Sequence, residues 1–529
     1  MLWVALHLPS LSLESFAATL AESDAGLAGA GVQRPIALVD AHRISAANAA
    51  AEALGVKPGL KRATALALAP RIVLGQADAA RDAQALLPVA HAALAFTPNV
   101  SLQPSSEPGA APSIVLLEVQ SSLRYFGGLG PLLKRLRQAV RPLGHAIRCA
   151  SAATAQGAAV LARVEPPPHC ANLAETRRAL EAAPVWLLGP GREHWEALQG
   201  MGLRHVGDLL GLPRAGLARR FGETLLAEVD AAFGRRPDPR EALVIAPSFE
   251  SRLELFARAD STEQVLHGAS VLLERLVAWL AAQHAFVRGF RLLMHHESRW
   301  QQSERMPQAT ALPIALAEPS RDSAHLLVLL RERLAQVQLP APTLELALQA
   351  EDIVKRAAPN SELFPTRQSE NEGLTRLIER LQARLGAGQV QCLGVAEDHR
   401  PERASRWREA DAAYRPPRVA KRSGTDAQAK RAGDASECAS RPVWLQPVPE
   451  PLHELRSRPL LDGRALSLLS GPERIEAGWW DAELAERDYF IAEAAGGALV
   501  WIYRARLPLL AAEAEKGSGS GWFLHGRFG

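Results

Sequence analysis

The sequence is poor in cysteine, methionine and tyrosine, with four of each in 529 residues. The cysteines stand at 149, 170, 392 and 438, a spacing that fits neither paired zinc ligands nor a small disulfide framework. A reducing cytoplasm is the expected location. Neither sign of charge dominates, since 60 Lys and Arg against 57 Asp and Glu leave +3 at neutral pH. No apolar run approaches the ~18 residues of a membrane span. The apolar stretch 1–13 lacks the basic flank and small-residue cleavage site of an export signal. With 47% hydrophobic and 22% charged residues the composition is that of a globular protein, and global disorder is excluded. The length allows about three or four domains.

Over residues 1–165, short apolar runs alternate with helical periodicity, the pattern of a mixed α/β domain. Strands are expected at 2–8, 35–39, 113–119 and 145–150, and helices at 11–20, 46–54, 78–96, 129–140 and 154–164. Three prolines at 166–168 stop the chain there. Residues 185–240 are helical, with Gly200 and Gly202 between two apolar helical stretches. That spacing permits the tight turn of a helix-hairpin-helix, whose exposed N–H groups, beside Arg204, would hold a DNA phosphate. A plain helix connection fits the same residues.

Residues 248–350 read as strand, helix, strand, strand, helix, strand, an open sheet with two helices on one face. In 358–395, Asn360-Ser361-Glu362-Leu363-Phe364 lies between two prolines and precedes an amphipathic helix with Leu374, Leu377, Ile378, Leu381 and Leu385 on one face. Residues 400–441 carry eleven Lys/Arg against six Asp/Glu without apolar periodicity, and read as a basic, mobile linker. The module 442–529 holds five of the eleven tryptophans, and two short strands around Gly496-Gly497 read as a hairpin. Those tryptophans are either the core of a small β domain or interface anchors. On a strand, the adjacent Trp479 and Trp480 would leave opposite faces, so one of them should be exposed.

Few constellations carry chemistry of their own. His295 and His296 are neighbours on an expected strand and point to opposite faces, so they should not share a metal. Phe126-Gly127-Gly128-Leu129-Gly130 follows a strand and precedes a helix, but it lacks the lysine and hydroxyl of a phosphate loop and reads as a turn.

The order of parts resembles the Y-family of translesion DNA polymerases: palm and fingers at 1–165, a helical thumb at 185–240 and a βαββαβ little finger at 248–350. The tail is similar to the ImuB branch of that family in Gly471-Pro472-Glu473-Arg474-Ile475-Glu476-Ala477-Gly478-Trp479-Trp480, in Arg487-Asp488-Tyr489-Phe490 and in Trp522-Phe523-Leu524-His525-Gly526. The resemblance implies an α+β multidomain fold and an accessory role in SOS mutagenesis. It implies binding to primer-template DNA, to a RecA-like ImuA-type protein and to a separate error-prone C-family polymerase, with no cofactor. Trp479, Trp480 and Trp522 are the tail residues expected to meet protein partners.

Nucleotidyl transfer needs two magnesium ions held by acidic side chains. Active members of the family carry an Asp-x-Asp on the first palm strand and an acidic pair before a later strand. The matching positions here are Leu6, Leu8, Ser113 and Ile114. Glu118 is the one carboxylate nearby, and one carboxylate cannot hold two ions. The fingers stretch starting at Asn48 has Ala49 and Glu52 where the family has a triphosphate-binding tyrosine and arginine, and the palm-helix segment 156–163 keeps only Arg163 as a basic residue. Asn360-Ser361-Glu362-Leu363-Phe364 resembles the β sliding-clamp pentapeptide, with Leu363 and Phe364 as the apolar anchors. The expected function is a non-catalytic, DNA- and clamp-binding adaptor. The alternatives are an active translesion polymerase with substituted ligands, and a structural DNA-binding protein with no mutagenic partner.

Overall fold

The computed structural model describes residues 1–20, 34–105, 109–297, 308–355, 367–410, 441–442, 444–481, 483–506 and 521–528. They form two units, Met1–Arg384 and Leu385–Gly529.

The first unit opens with β1 (Trp3–His7) and α1 (Leu11–Ala17), then a small sheet of β2 (Ile36–Asp40), β3 (Arg43–Ala47) and β4 (Val73–Gly75) with α2 (Ala49–Ala53) and α3 (Arg62–Leu68) inserted. The helix expected to start at 46 starts at 49, because residues 46 and 47 pair in β3 and the Asn48 carboxamide caps α2 by accepting from Ala51 N at 2.9 Å. Next come α4 (Ala79–Leu94), β5 (Val100–Gln103), β6 (Ile114–Glu118), α5 (Leu123–Phe126), α6 (Leu129–Val140), β7 (Arg148–Ala152) and α7 (Ala155–Leu161). β5, β6, β1 and β7 form an antiparallel sheet in that order, with Leu6 opposite Val115 on one side and Cys149 on the other. Strand alternation sends Val4, Leu6 and Leu8 into a core shared with α4 and α6, and sends Ala5 into a second core with α7.

Six short helices follow: α8 (Leu173–Glu181), α9 (Gly189–Glu193), α10 (Trp195–Gly200), α11 (Val206–Leu210), α12 (Arg214–Phe221) and α13 (Glu223–Ala232). Their apolar residues, among them Leu180, Leu198, Leu217 and Phe221, continue the α7 core. Then β8 (Glu250–Ala259), α14 (Thr262–Ala282), β9 (Ala285–His296), β10 (Ala309–Ser320), α15 (Ser323–Leu334) and β11 (Thr343–Lys355) give the βαββαβ order, with the antiparallel sheet order β10-β9-β11-β8. Among the described helices α14 alone is long and apolar enough to cross a membrane. Its Leu272, Leu276, Trp279 and Leu280 instead fill the core beneath this sheet.

The helix α16 (Arg367–Leu385) turns a different face inward from the one expected. Ile378 and Ala383 are buried, whereas Leu377, Leu381 and Leu385 are exposed. Glu379 sets the orientation: its carboxylate accepts from Ala317 N at 2.6 Å and meets His325 Nε2 at 2.8 Å, and a buried charge is worth orienting only toward such partners.

The second unit begins earlier than the expected boundary at 442. β12 (Gln391–Val395) and β13 (Ser405–Glu409) form a two-stranded antiparallel ribbon. Residues 400–410 are therefore folded, a correction to the linker reading; 411–440 lie outside the described residues. Arg400 is the reason: its guanidinium is 3% exposed and bonds to Asp398 at 2.7 Å and to Asp481 at 2.6 Å. It also donates to the Glu483 carbonyl at 3.1 Å. Five strands, β14 (Trp444–Pro451), β18 (Ser467–Ala477), β19 (Ala485–Glu493), β20 (Leu499–Ala505) and β21 (Trp522–Arg527), form an antiparallel sheet. Between the first two of them lies a meander of β15 (His453–Leu455), β16 (Arg458–Leu461) and β17 (Arg464–Ala465). The five-stranded sheet is apolar on both faces, with Val500, Ile502, Trp522 and Leu524 in one cluster and Ile475, Tyr489, Trp501 and Tyr503 in another. β19 and β20 are joined through Gly496-Gly497, where Gly497 takes a left-handed φ of 81°.

Candidate functional site

The four palm positions do not converge on a site. Leu6 and Leu8 are 0% and 1% exposed and pack with Leu86, Val89, Leu132 and Leu136. Ile114 is buried in the opposite core, with Ala5 and Leu116. Ser113 contributes its backbone, its carbonyl accepting from Leu8 N at 2.9 Å. Glu118 is four residues further along β6, about 13 Å from Ile114 at strand spacing, and there its carboxylate accepts from Gln120 N at 3.2 Å. A pair of magnesium ions needs several carboxylate oxygens within reach of one another, and this donor set does not fit them. Among the described residues no three His, Cys, Asp or Glu side chains group to hold a metal ion.

The titratable side chain between the two leucines, His7, was not singled out from the sequence. It lies opposite Arg148 in the sheet, and burial, then Arg163 and Arg148, lowers its pKa to about 4. Its ring is therefore neutral near pH 7, with Nδ1 buried and, among the described residues, without a hydrogen-bond partner. A lone histidine inside an alternating apolar strand carries no signal in sequence.

The residues of the palm-helix segment are committed to holding elements together. Gln156 donates to Glu228 on α13 at 2.7 Å and accepts from Arg240 at 2.9 Å, while its backbone N donates to Asp238 at 3.1 Å. Arg240 also donates to Gln103 at 2.7 Å, so the connector after α13 is tied to both α7 and β5. Glu228 accepts from Gly189 N at 3.1 Å, and its burial raises its pKa. Arg163 donates to the Leu187 carbonyl at 3.1 Å. In the small sheet Ala49 and Glu52 are both exposed on α2.

The glycine turn is present, and its chemistry differs from the expectation. α10 and α11 are joined through Gly202, with a left-handed φ of 80°. The N–H groups of 201–206 are all satisfied within the protein. Met201 and Leu203 donate to the Leu198 carbonyl, Gly202 to Gln199 and Val206 to Ala183. Arg204 N and His205 N both donate to the Asp208 carboxylate, at 2.9 and 2.8 Å, and these bonds lower its pKa. A phosphate would have to displace that carboxylate against its charge. The backbone of Gly200 and Gly202 is thus no ready anion cradle, and the exposed Arg204 side chain is the cation this turn presents.

The tail tryptophans divide. Trp522 is 5% exposed and packs on Phe490 with ring centroids 5.3 Å apart, so it is a core residue and the reading of it as a partner contact is corrected. Trp501 is also core, stacked on Tyr489 at 4.0 Å. Trp444, Trp479 and Trp480 are exposed. Trp479 and Trp480 lie in a turn after β18, not on a strand, and meet edge to face at 5.4 Å. Trp480 rests against the Arg400 guanidinium, 5.6 Å from the ring centre. Asn360, Ser361, Glu362, Leu363 and Phe364 lie outside the described residues.

No protein-family model matches the chain. Among solved structures it is similar to a ternary complex of Dbh DNA polymerase, with 13% identity, a TM-score of 0.36 and coverage of 67% of this chain and 99% of that one. It is likewise similar to DinB from Sulfolobus solfataricus, with 14% identity, a TM-score of 0.35 and coverage of 67% and 100%. Among curated proteins it is 29% identical over 497 residues to Protein ImuB of Caulobacter vibrioides, covering 90% of this chain and 100% of that protein. The chain is thus similar to Protein ImuB along the whole of that protein's length.

Proposed function

We infer that the chain is a non-catalytic relative of the Y-family DNA polymerases that acts in the cytoplasm as an adaptor for error-prone translesion synthesis in the SOS response. It binds primer-template DNA through its first unit and the β sliding clamp through residues 360–364. Through the second unit it engages a RecA-like ImuA-type protein and an error-prone C-family polymerase. The observation that carries this reading is the burial of Leu6 and Leu8: the two positions that should present carboxylates to metal are 0% and 1% exposed and packed beneath two helices. Phosphoryl transfer rests on positioning and charge neutralisation by metals, and these side chains supply neither.

Primer extension by the purified protein tests this. The expected result is no nucleotide addition with magnesium or manganese, on undamaged or lesion-bearing templates. Extension that follows the protein through purification and disappears in Glu118→Ala would refute it and return the function to that of an active polymerase.

A further inference from the structure

In the second unit, β13 is exposed along its length, and β12 exposes Gln391, Leu393 and Val395. Leu393 and Trp407 are direct cross-strand partners, 54% and 69% exposed, and Val395, two residues along the same face, is 89% exposed. Among the described residues neither strand pairs with any strand but its partner, which leaves both outer edges open there. The reverse face carries Arg406 and Arg408, both exposed.

The charge on this ribbon is uncommitted, unlike that just before it. Arg400 and Arg403 are held by Asp398, Asp481 and Glu483. Among the described residues Arg406 and Arg408 have no carboxylate partner, and the two strands hold a single acid, Glu409. Two guanidinium groups on one face of a narrow ribbon and an exposed indole on the other call for a partner that is both anionic and flat-faced. Single-stranded nucleic acid has both properties, because any base can stack on an aromatic ring while the backbone follows cationic side chains. An acidic protein would satisfy the arginines but leave no reason for an open indole and aliphatic platform on the opposite face.

We propose that the β12–β13 ribbon is a single-stranded DNA site, with Trp407 as the stacking platform and Arg406 and Arg408 as the phosphate contacts. The ribbon is only two strands wide, so long arginine side chains on the reverse face can reach a backbone running along the β13 edge. The site is separate from the first unit and does not depend on the adaptor reading.

The test is fluorescence anisotropy of labelled oligo-dT and of a primer-template duplex with the full-length protein, between about 50 and 200 mM salt. Trp407→Ala should weaken oligo-dT binding by about five- to a hundredfold, as loss of one stacked base predicts, while Trp407→Phe retains most of it. Arg406→Ala with Arg408→Ala should lower the slope of log affinity against log salt by about 1.4, two phosphates on a single strand. Duplex affinity should be unchanged in all three. Wild-type oligo-dT binding by both Trp407→Ala and the double arginine variant overturns the proposal. So does loss of a protein partner by either variant with oligo-dT binding intact, which would assign the ribbon to protein recognition. If Trp407→Ala disturbs the thermal transition, Trp407→Phe and the arginine pair decide.

Discussion

Trp522→Ala should destabilise the second unit, and any loss of protein partners should follow from that unfolding. An indole side chain buries about 150–250 Å² on folding, which at about 25 cal/mol per Å² is an upper bound of about 4–6 kcal/mol. Trp522 is 5% exposed and shares its cluster with Leu452, Val500, Ile502 and Leu524, so little of that area is left in water. The void beside Phe490 can relax only in part, and core Trp→Ala changes cost about 3–5 kcal/mol. Against a domain stability of about 5–15 kcal/mol this is a large fraction, and the transition of the second unit should fall by about 6 °C or more. Trp479→Ala is the control: with its ring 77% exposed it should change stability by no more than about 0.5 kcal/mol. Thermal unfolding of the full-length variants, read beside pull-down of the RecA-like and polymerase partners, separates the two roles. Trp479→Ala should lose partner binding with an unchanged transition, and Trp522→Ala should lose it with a lowered one. If Trp522→Ala keeps the wild-type transition while partners are lost, Trp522 is an interface anchor and the core argument fails.

Leu363→Ala with Phe364→Ala should remove clamp association at a cost of about 2 kcal/mol or more, since two apolar anchors carry most of so short a motif. Co-elution of the double variant with the clamp in gel filtration would place the contact elsewhere. Stability should also fall as pH drops from about 6.5 to 4, because burial lowers the pKa of His7, His91 and His525 to about 4. The unfolded chain then binds protons that the folded one refuses, and each such group contributes a slope of about 1.4 kcal/mol per pH unit in that window. At lower pH Asp398 adds a second loss: hydrogen bonding to Arg400 holds it at about 2, so its contribution is complete above about pH 4 and disappears as pH falls through about 2. A transition temperature independent of pH between 7 and 4 would show that these histidines are not buried neutral.

The strands and long helices were legible because their periodicity is local. The helix expected at 129–140 forms as α6, and the βαββαβ order of 248–350 forms strand by strand. The apolar character of the first strand at Leu6 and Leu8 is likewise visible without a structure, and both are buried. What could not be read is whatever depends on a distant partner. The inward face of α16 is set by Glu379 meeting His325 and the backbone of Ala317, 54 and 62 residues away, so the leucine stripe misled. Arg400 looked like part of a basic linker because composition does not reveal that Asp481, 81 residues later, would bury it. Trp522 and Trp479 have the same side chain, and only strand pairing tells core from surface. At the glycine hairpin, Asp208 was in plain view four residues after Arg204, yet its capping of the turn depends on the start of α11.

The palm residues at the positions expected for catalysis do structural work. A carboxylate at Leu6 or Leu8 would forfeit about 1.5–3 kcal/mol of apolar burial at each and strand a charge beneath α4 and α6, among apolar described neighbours. The segment resembling the triphosphate-binding part of the palm helix is engaged as well: Gln156 with Glu228 and Arg240, and Arg163 with the Leu187 carbonyl. Those bonds join β5, α7, α13 and the connector that leads to the βαββαβ domain. A polymerase must open and close around its nucleotide, whereas an adaptor needs its binding surfaces held in fixed relation. A half-buried polar network across these elements, closed by Arg240 at 2.6 Å from Asp238, serves the second requirement and opposes the first.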